Sequence, residues 1–248
     1  MSMYGDIVWV SGSPFLRCLH MPLLKKLFRS ANVSVWEYIQ SLDESACMET
    51  AVELLHSYIK KRESPVNLIG HDIGGTIALI FARQYPEYVK SLILLSVAAQ
   101  PARTWHIHYY QQRQIYSQNQ GEALSNTLHH IFRDNFPCHR DNLHNLMDKF
   151  YQDLENIPLM HSLFKIEKLP TGGVPMPLLI CGGQIDMILP YPELNEWEKW
   201  LKPGDIIWQC PQGSHFFHHF HSQIVSEQIS RFLEMQPINI IKKDIVST

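Results

Sequence analysis

The residue types best suited to chemistry in this chain are Asp72, Asp186 and His215, in that order along the sequence. Asp72 lies in the run GHDIGG (residues 70–75), behind the apolar stretch VNLI (66–69) and ahead of the helix-forming TIALIFA (76–82). A strand, a Gly-x-Asp-x-Gly turn and a helix in succession make an elbow that thrusts its middle side chain out of the backbone. Gly70 and Gly74, two residues to either side, lack the Cβ atoms that such a turn would crowd. The positive end of the helix dipole favours a carboxylate at that point. Where a serine would form an acyl-enzyme, an attacking carboxylate forms an alkyl ester with an electrophilic carbon, so the elbow residue selects the chemistry. The same five residues could be an ordinary turn or a helix N-cap. The strand before and the helix after favour the elbow.

A carboxylate nucleophile needs a base to release its ester, and a partner to orient that base. Asp186 follows a strand-like run at 177–181 through Gly182–Gly183–Gln184–Ile185, a position from which it can hold an imidazole. His215 follows a second such run at 205–210 through Pro211–Gln212–Gly213–Ser214, in a loop before a final helix, and is the expected general base. Two backbone donors are expected to form an oxyanion hole. One is the N–H of Ile73, next to the nucleophile, and the other is that of Ser13, in the SGSP loop (11–14) after the first strand. Further histidines follow the base at 218, 219 and 221, and His215 and His219 have the i, i+4 spacing of a metal pair. No glutamate or cysteine pair completes a ligand set nearby, so neither a metal nor a cofactor is expected.

These residues must be positioned by alternating strands and helices. Strand patterns fall at 6–10, 33–39, 66–69 and 92–97, with helical patterns at 16–28, 44–61 and 75–84. The alternation predicts an α/β fold, a mostly parallel sheet flanked by helices, with continuous apolar strands buried on both faces. From 98 to 174 no strand pattern appears, and helical stretches such as 105–116 and 143–154 are rich in His, Tyr, Gln and Asn. Strands return at 177–181 and 205–210, with helices at 193–201 and 222–233. The expected organisation is a core of residues 1–97 and 175–236, a helical cap of 98–174 over the C-terminal edge of the sheet, and a tail of 237–248.

At 248 residues, 45% hydrophobic and 18% charged, the composition is that of one folded globular domain. A formal net charge of −3, with no Lys/Arg cluster, argues against nucleic acid as a partner. The five cysteines are odd in number and scattered, which suits a reducing cytoplasm rather than a disulfide framework. Neither a signal peptide nor an integral membrane segment is expected. The expected partner is a small molecule, and the oligomeric state is open.

Taken together, these motifs resemble the α/β-hydrolase superfamily over about residues 6–233. GHDxGG is most similar to its epoxide hydrolase and haloalkane dehalogenase branch. The resemblance implies an α/β-hydrolase fold in which Asp72 is the nucleophile, His215 the water-activating base and Asp186 its charge partner. It also makes 98–174 the cap, where tyrosines protonate the leaving oxygen. Tyr109 and Tyr110 are the substrate-binding candidates, with Tyr116 and Tyr151 in the same segment. Three features depart from the pattern. Ser11 replaces the histidine of the family's oxyanion loop, Ile73 replaces the tryptophan that holds a halide in dehalogenases, and the first strands of the sheet are missing. The implied activity is hydrolysis of a small to medium, largely apolar substrate through an alkyl-enzyme ester, epoxide rather than haloalkane. The alternative is a ligand- or partner-binding module on a catalytically altered fold. A serine esterase is disfavoured because the chain contains no G-x-S-x-G.

Overall fold

The computed structural model describes residues 5–39, 47–100, 103–116, 119–135, 140–156 and 171–236. Six strands form one sheet in the order β2-β1-β3-β4-β5-β6. They are β1 (Asp6–Ser11), β2 (Asn32–Glu37), β3 (Val66–His71), β4 (Val89–Leu95), β5 (Leu178–Gly183) and β6 (Ile206–Cys210). All five pairings are parallel, so the expectation of a mostly parallel sheet is met in full over the described residues. The strand expected over 33–39 stops at Glu37, and the tail 237–248 lies outside the described residues.

Alternation along each strand divides the core in two. Val8, Val10, Leu68, Leu92, Leu94, Leu178 and Ile180 face α2 (Met48–Ile59) and α3 (Asp72–Gln84) on one side of the sheet. Ile7, Trp9, Ile69, Ile93, Leu95 and Leu179 face α1 (Arg17–Ser30) and α9 (Ser222–Glu234) on the other. The helices answer with apolar stripes at helical spacing: Met48, Ala51, Val52, Leu55 and Ile59 on α2, and Val225, Ile229, Phe232 and Leu233 on α9. Burial on both faces explains why the strands read as unbroken apolar runs.

Between β4 and β5 lie α4 (Trp105–Ile115), α5 (Gln120–Phe132) and α6 (Arg140–Asn156). Thr104 caps α4 by accepting from the Ile107 N–H, and Asn119 caps α5 by accepting from that of Glu122. Their apolar faces close over Leu16, Leu19 and Phe216 in a third cluster containing Trp105, Tyr109, Leu124, Leu128, Phe132 and Phe150. The helix expected over 193–201 is a short α7 (Tyr191–Leu194) that tightens into 3-10 turns at Asn195–Trp200. A single turn, α8 (Phe217–Phe220), precedes α9. Among the described residues no helix is long and apolar enough to cross a membrane.

At the start of α3 the packing is backbone against backbone. A Cβ on Gly74 would stand 2.3 Å from the Val10 carbonyl oxygen, and one on Gly70 would stand 2.6 Å from the Gly75 backbone. Neither neighbour can rotate away. Gly74→Ala is therefore expected to cost about 2–3 kcal/mol, seen as a drop in Tm of about 4–12 °C in a thermal melt. An unchanged Tm would show that this contact does not fix α3.

Candidate active site

Asp72 is the first residue of α3 and has φ +50°, the left-handed conformation expected of an elbow. Such a backbone costs about 1–3 kcal/mol for a residue other than glycine. It is held by the glycine contacts described above and by the Thr76 hydroxyl, which donates to the Asp72 carbonyl at 3.1 Å. The side chain is thereby turned toward the loop after β6. His215 Nε2 stands 3.4 Å from Asp72 Oδ1, an ion-pair separation rather than a well-made hydrogen bond. On the other side of the imidazole, His215 Nδ1 donates to Asp186 Oδ2 at 2.9 Å. Nucleophile candidate, base candidate and orienting carboxylate therefore meet as the sequence order suggests. All three are buried.

Asp186 is locked from every side. Its Oδ1 accepts from the backbone N–H groups of Ile188 and Leu189 at 2.8 and 3.0 Å, and its Oδ2 also accepts from the Ser96 hydroxyl at 2.8 Å. Ser96 follows β4 and has φ +48°, a second strained residue beside the site. Nothing local in the sequence marks it, because its role depends on a carboxylate 90 residues away. His215 itself is anchored by its backbone N–H, which donates to the Ile131 carbonyl of α5.

Burial disfavours a charge on His215. The adjacent Asp186 carboxylate and its hydrogen bond, with the nearby Asp72 carboxylate, outweigh that, pushing the pKa up to about 10. The two carboxylates thus favour the protonated imidazole.

The loop that carries one expected oxyanion donor, Ser13, packs through Gly12 against the other, Ile73. Ile73 is the second residue of α3, so its N–H has no acceptor within the helix. The SGSP loop lies against that first turn: a Cβ on Gly12 would be 2.4 Å from Ile73 Cγ2 and 3.2 Å from the Gly74 nitrogen. Ser13 precedes the 3-10 turn Pro14–Leu16 and is buried, and its hydroxyl and that of Ser11 have no hydrogen-bond partner.

The cap tyrosines are not joined to Asp72 by any hydrogen bond. Tyr109 is buried in the third cluster, with its hydroxyl accepting from Arg113 at 3.3 Å. Tyr110 lines a cavity of about 910 Å³ together with Arg103, Gln111, Glu193 and Trp200. The inserted segment reaches Asp72 through Trp105, whose backbone N–H donates to Asp72 Oδ1 at 3.2 Å. Among the described residues Asp72 Oδ2 has no hydrogen-bond partner and is buried. Trp105 was not distinguishable in the sequence from a core tryptophan, and the contact uses its backbone rather than its side chain. His106, its neighbour, joins α4 to α6 through Asp153 at 3.1 Å.

The metal alternative weighed for His215 and His219 is not realised as a pair. His215 belongs with Asp72 and Asp186, while His219 Nδ1 pairs with the Leu19 carbonyl.

The family model described as alpha/beta hydrolase fold matches residues 59–222. The chain belongs to the α/β-hydrolase family. An uncharacterised protein of Nostoc sp. is 45% identical over 231 residues, covering 93% of this chain and 91% of that protein. Among solved structures, a thermophilic esterase from Thermogutta terrifontis superposes with a TM-score of 0.70 at 18% identity, covering 93% of this chain and 89% of that one. An epoxide hydrolase from Vigna radiata gives 0.61 at 14% identity, covering 93% and 91%. At these identities the structural matches speak for the α/β-hydrolase fold and leave the chemistry to the residues of the site.

The raised pKa of His215 has a consequence for stability. Its folded-state pKa lies above the unfolded value, so the charged imidazole contributes stability in full below about pH 6.5. That contribution is lost as the pH rises toward about 10. Tm is expected to fall across this window in the native chain. The fall should flatten in His215→Gln, as measured by thermal melts at stepped pH. An equal slope in both proteins would contradict the ion-pair arrangement.

Proposed function

We propose that this α/β-hydrolase is a cofactor-independent hydrolase with a carboxylate nucleophile, acting on small to medium, largely apolar epoxides. The observation that carries this reading is a carboxylate, not a hydroxyl, at the elbow, 3.4 Å from a histidine held by a second carboxylate. In the first step an Asp72 carboxylate oxygen forms a bond to a ring carbon while the C–O bond of the epoxide breaks. Among the described residues, the acid beside Asp72 is the His215 imidazolium, which gives its proton to the leaving oxygen.

That transfer readies the second step. Once Asp72 is an ester its charge no longer supports a cation, and neutral His215 takes a proton from water. The resulting hydroxide attacks the Asp72 carboxyl carbon while the amides of Ile73 and Ser13 hold the oxyanion. Collapse releases the diol, whose second hydroxyl takes the proton of the Asp72 carboxyl group. Asp72 returns as a carboxylate and His215 as an imidazolium. A serine nucleophile would need a neutral base from the outset. A carboxylate does not, so the raised pKa of His215 suits this order of events. The residue at Ile73, where a dehalogenase has its halide-binding tryptophan, favours epoxides over haloalkanes.

A second reading, a binding module, draws support from the covering of Asp72. The residue is 2% exposed beneath the Trp105 N–H, and no member of the triad is among the residues lining the 910 Å³ cavity. The two readings part in one experiment. In a single turnover of a styrene-oxide-type substrate in ¹⁸O-water, the label is expected in the Asp72 peptide and not in the diol. Asp72→Asn is expected to reduce turnover by at least a thousandfold. Label found in the diol alone would sink the ester mechanism. Absence of turnover across an epoxide panel, with a ligand-induced rise in Tm, would favour the binding module.

A further inference from the structure

His215 is one of several histidines that the fold gathers at this end of the sheet. Behind it, His20 of α1, His71 at the end of β3 and His218 of α8 come together from three separate elements. Their ring centroids are 5.2 Å (His20–His218), 5.7 Å (His20–His71) and 4.5 Å (His71–His218) apart. One ring nitrogen from each lies within 4.8 Å of one from each of the others, and all three residues are buried. Trp9 and Phe216 pack against the group.

As a purely structural core, this group is poorly satisfied. His20 Nδ1 and His218 Nε2 are 2.9 Å apart, so one proton must serve both nitrogens, and without it two lone pairs would face each other. His71 is different. Its Nε2 lies 3.0 Å from the His215 carbonyl, to which it can only donate, and this fixes Nδ1 as its lone-pair nitrogen. A ring N–H given to a backbone carbonyl is the support that ligating histidines usually have.

We propose that His20, His71 and His218 form a binding site for a divalent transition-metal ion of the zinc class. Three imidazoles with water in the fourth position make a familiar tetrahedral set. With metal–nitrogen bonds of about 2.0–2.1 Å, ligand nitrogens stand about 3.3 Å apart, so the 2.9 Å between His20 and His218 would open slightly while the wider separations, all within 4.8 Å, would close onto the ion. Burial, followed by the mutual repulsion of the histidines, holds all three neutral, with His20 lowered to about 3. Neutral imidazole is the ligating form, so little proton release opposes binding at neutral pH.

The position of the site indicates what the ion would do. His20 lies on the helix that follows the SGSP loop, His71 immediately precedes Asp72, and His218 lies three residues after His215. One ion would tie together the three segments that carry the oxyanion donors, the nucleophile and the base. Its role is to position these loops, not to touch substrate.

The test uses the full-length chain with any affinity tag removed. The chain is loaded with Zn²⁺ or Co²⁺, then freed of excess ion by gel filtration. The expected result is about one metal ion per chain by elemental analysis and visible ligand-field bands of four-coordinate cobalt. Tm should rise by about 5–10 °C at a hundredfold excess of zinc over Kd. His20→Asn and His218→Asn should each weaken binding more than tenfold, whereas His221→Asn should not. A wild-type chain that retains no metal, shows no cobalt bands and keeps its Tm would overturn the proposal and leave a hydrogen-bonded histidine cluster. Binding undiminished in both variants would also overturn it. If the variants fail to fold, the wild-type measurements still decide.

Discussion

The site depends on how closely the start of α3 can approach β1 and β3. The approach is set by backbone atoms alone: Gly74 against the Val10 carbonyl, and Gly70 against Gly75. Because the sheet and helix touch there without side chains, the chain can reverse within one residue. That residue, Asp72, absorbs the reversal in a left-handed conformation. The SGSP loop lies against the same first turn of α3, where a Cβ on Gly12 would be 2.4 Å from Ile73 Cγ2. A methyl group at either glycine would move the nucleophile candidate, its oxyanion donors and the adjoining His71 at once.

Electrostatics then distinguishes this elbow from one carrying a serine. His215 lies between two carboxylates, and the one behind it, Asp186, has each oxygen bonded to two donors. A carboxylate so fully satisfied cannot swing away, so the imidazole orientation is fixed by the turn after β5 and by Ser96 after β4. In the proposed mechanism the second carboxylate, Asp72, is the one consumed. Its charge favours the imidazolium before attack and withdraws that support afterwards, which couples the protonation state of the base to progress of the reaction.

The helices inserted between β4 and β5 are structurally continuous with this machinery. The α5 carbonyl of Ile131 holds the His215 backbone, and the α4 amide of Trp105 covers Asp72. Phe132 and Phe216 stack across the boundary, and His106 with Asp153 ties α4 to α6. The N-terminal turn of α4 thus covers Asp72, and its cap at Thr104 uses a single side-chain hydrogen bond.

Much of this was legible in the sequence because it is local. The apolar runs of strands buried on both faces, the glycine spacing around Asp72 and the order Asp72, Asp186, His215 follow from short-range periodicity and turn chemistry. They led to the correct sheet class and to three residues that the fold brings together. The helix expected over 193–201 emerged as a short helix and 3-10 turns, since its packing around Trp197 outweighs its helical spacing. Other features could not be read at all. Ser96 and Trp105 matter through partners 90 and 33 residues away, one of them by a backbone atom that every residue possesses. The tyrosines at 109 and 110 looked alike in sequence, yet one is sealed in a core cluster and the other lines a cavity. The convergence of His20, His71 and His218 was equally hidden, because α1, β3 and α8 meet only when the helices pack onto the assembled sheet. Sequence thus determined which residues could do chemistry, since side-chain type and local backbone geometry are encoded within a few positions. Tertiary structure decided which of them meet, since a contact across the sheet depends on how every intervening element packs.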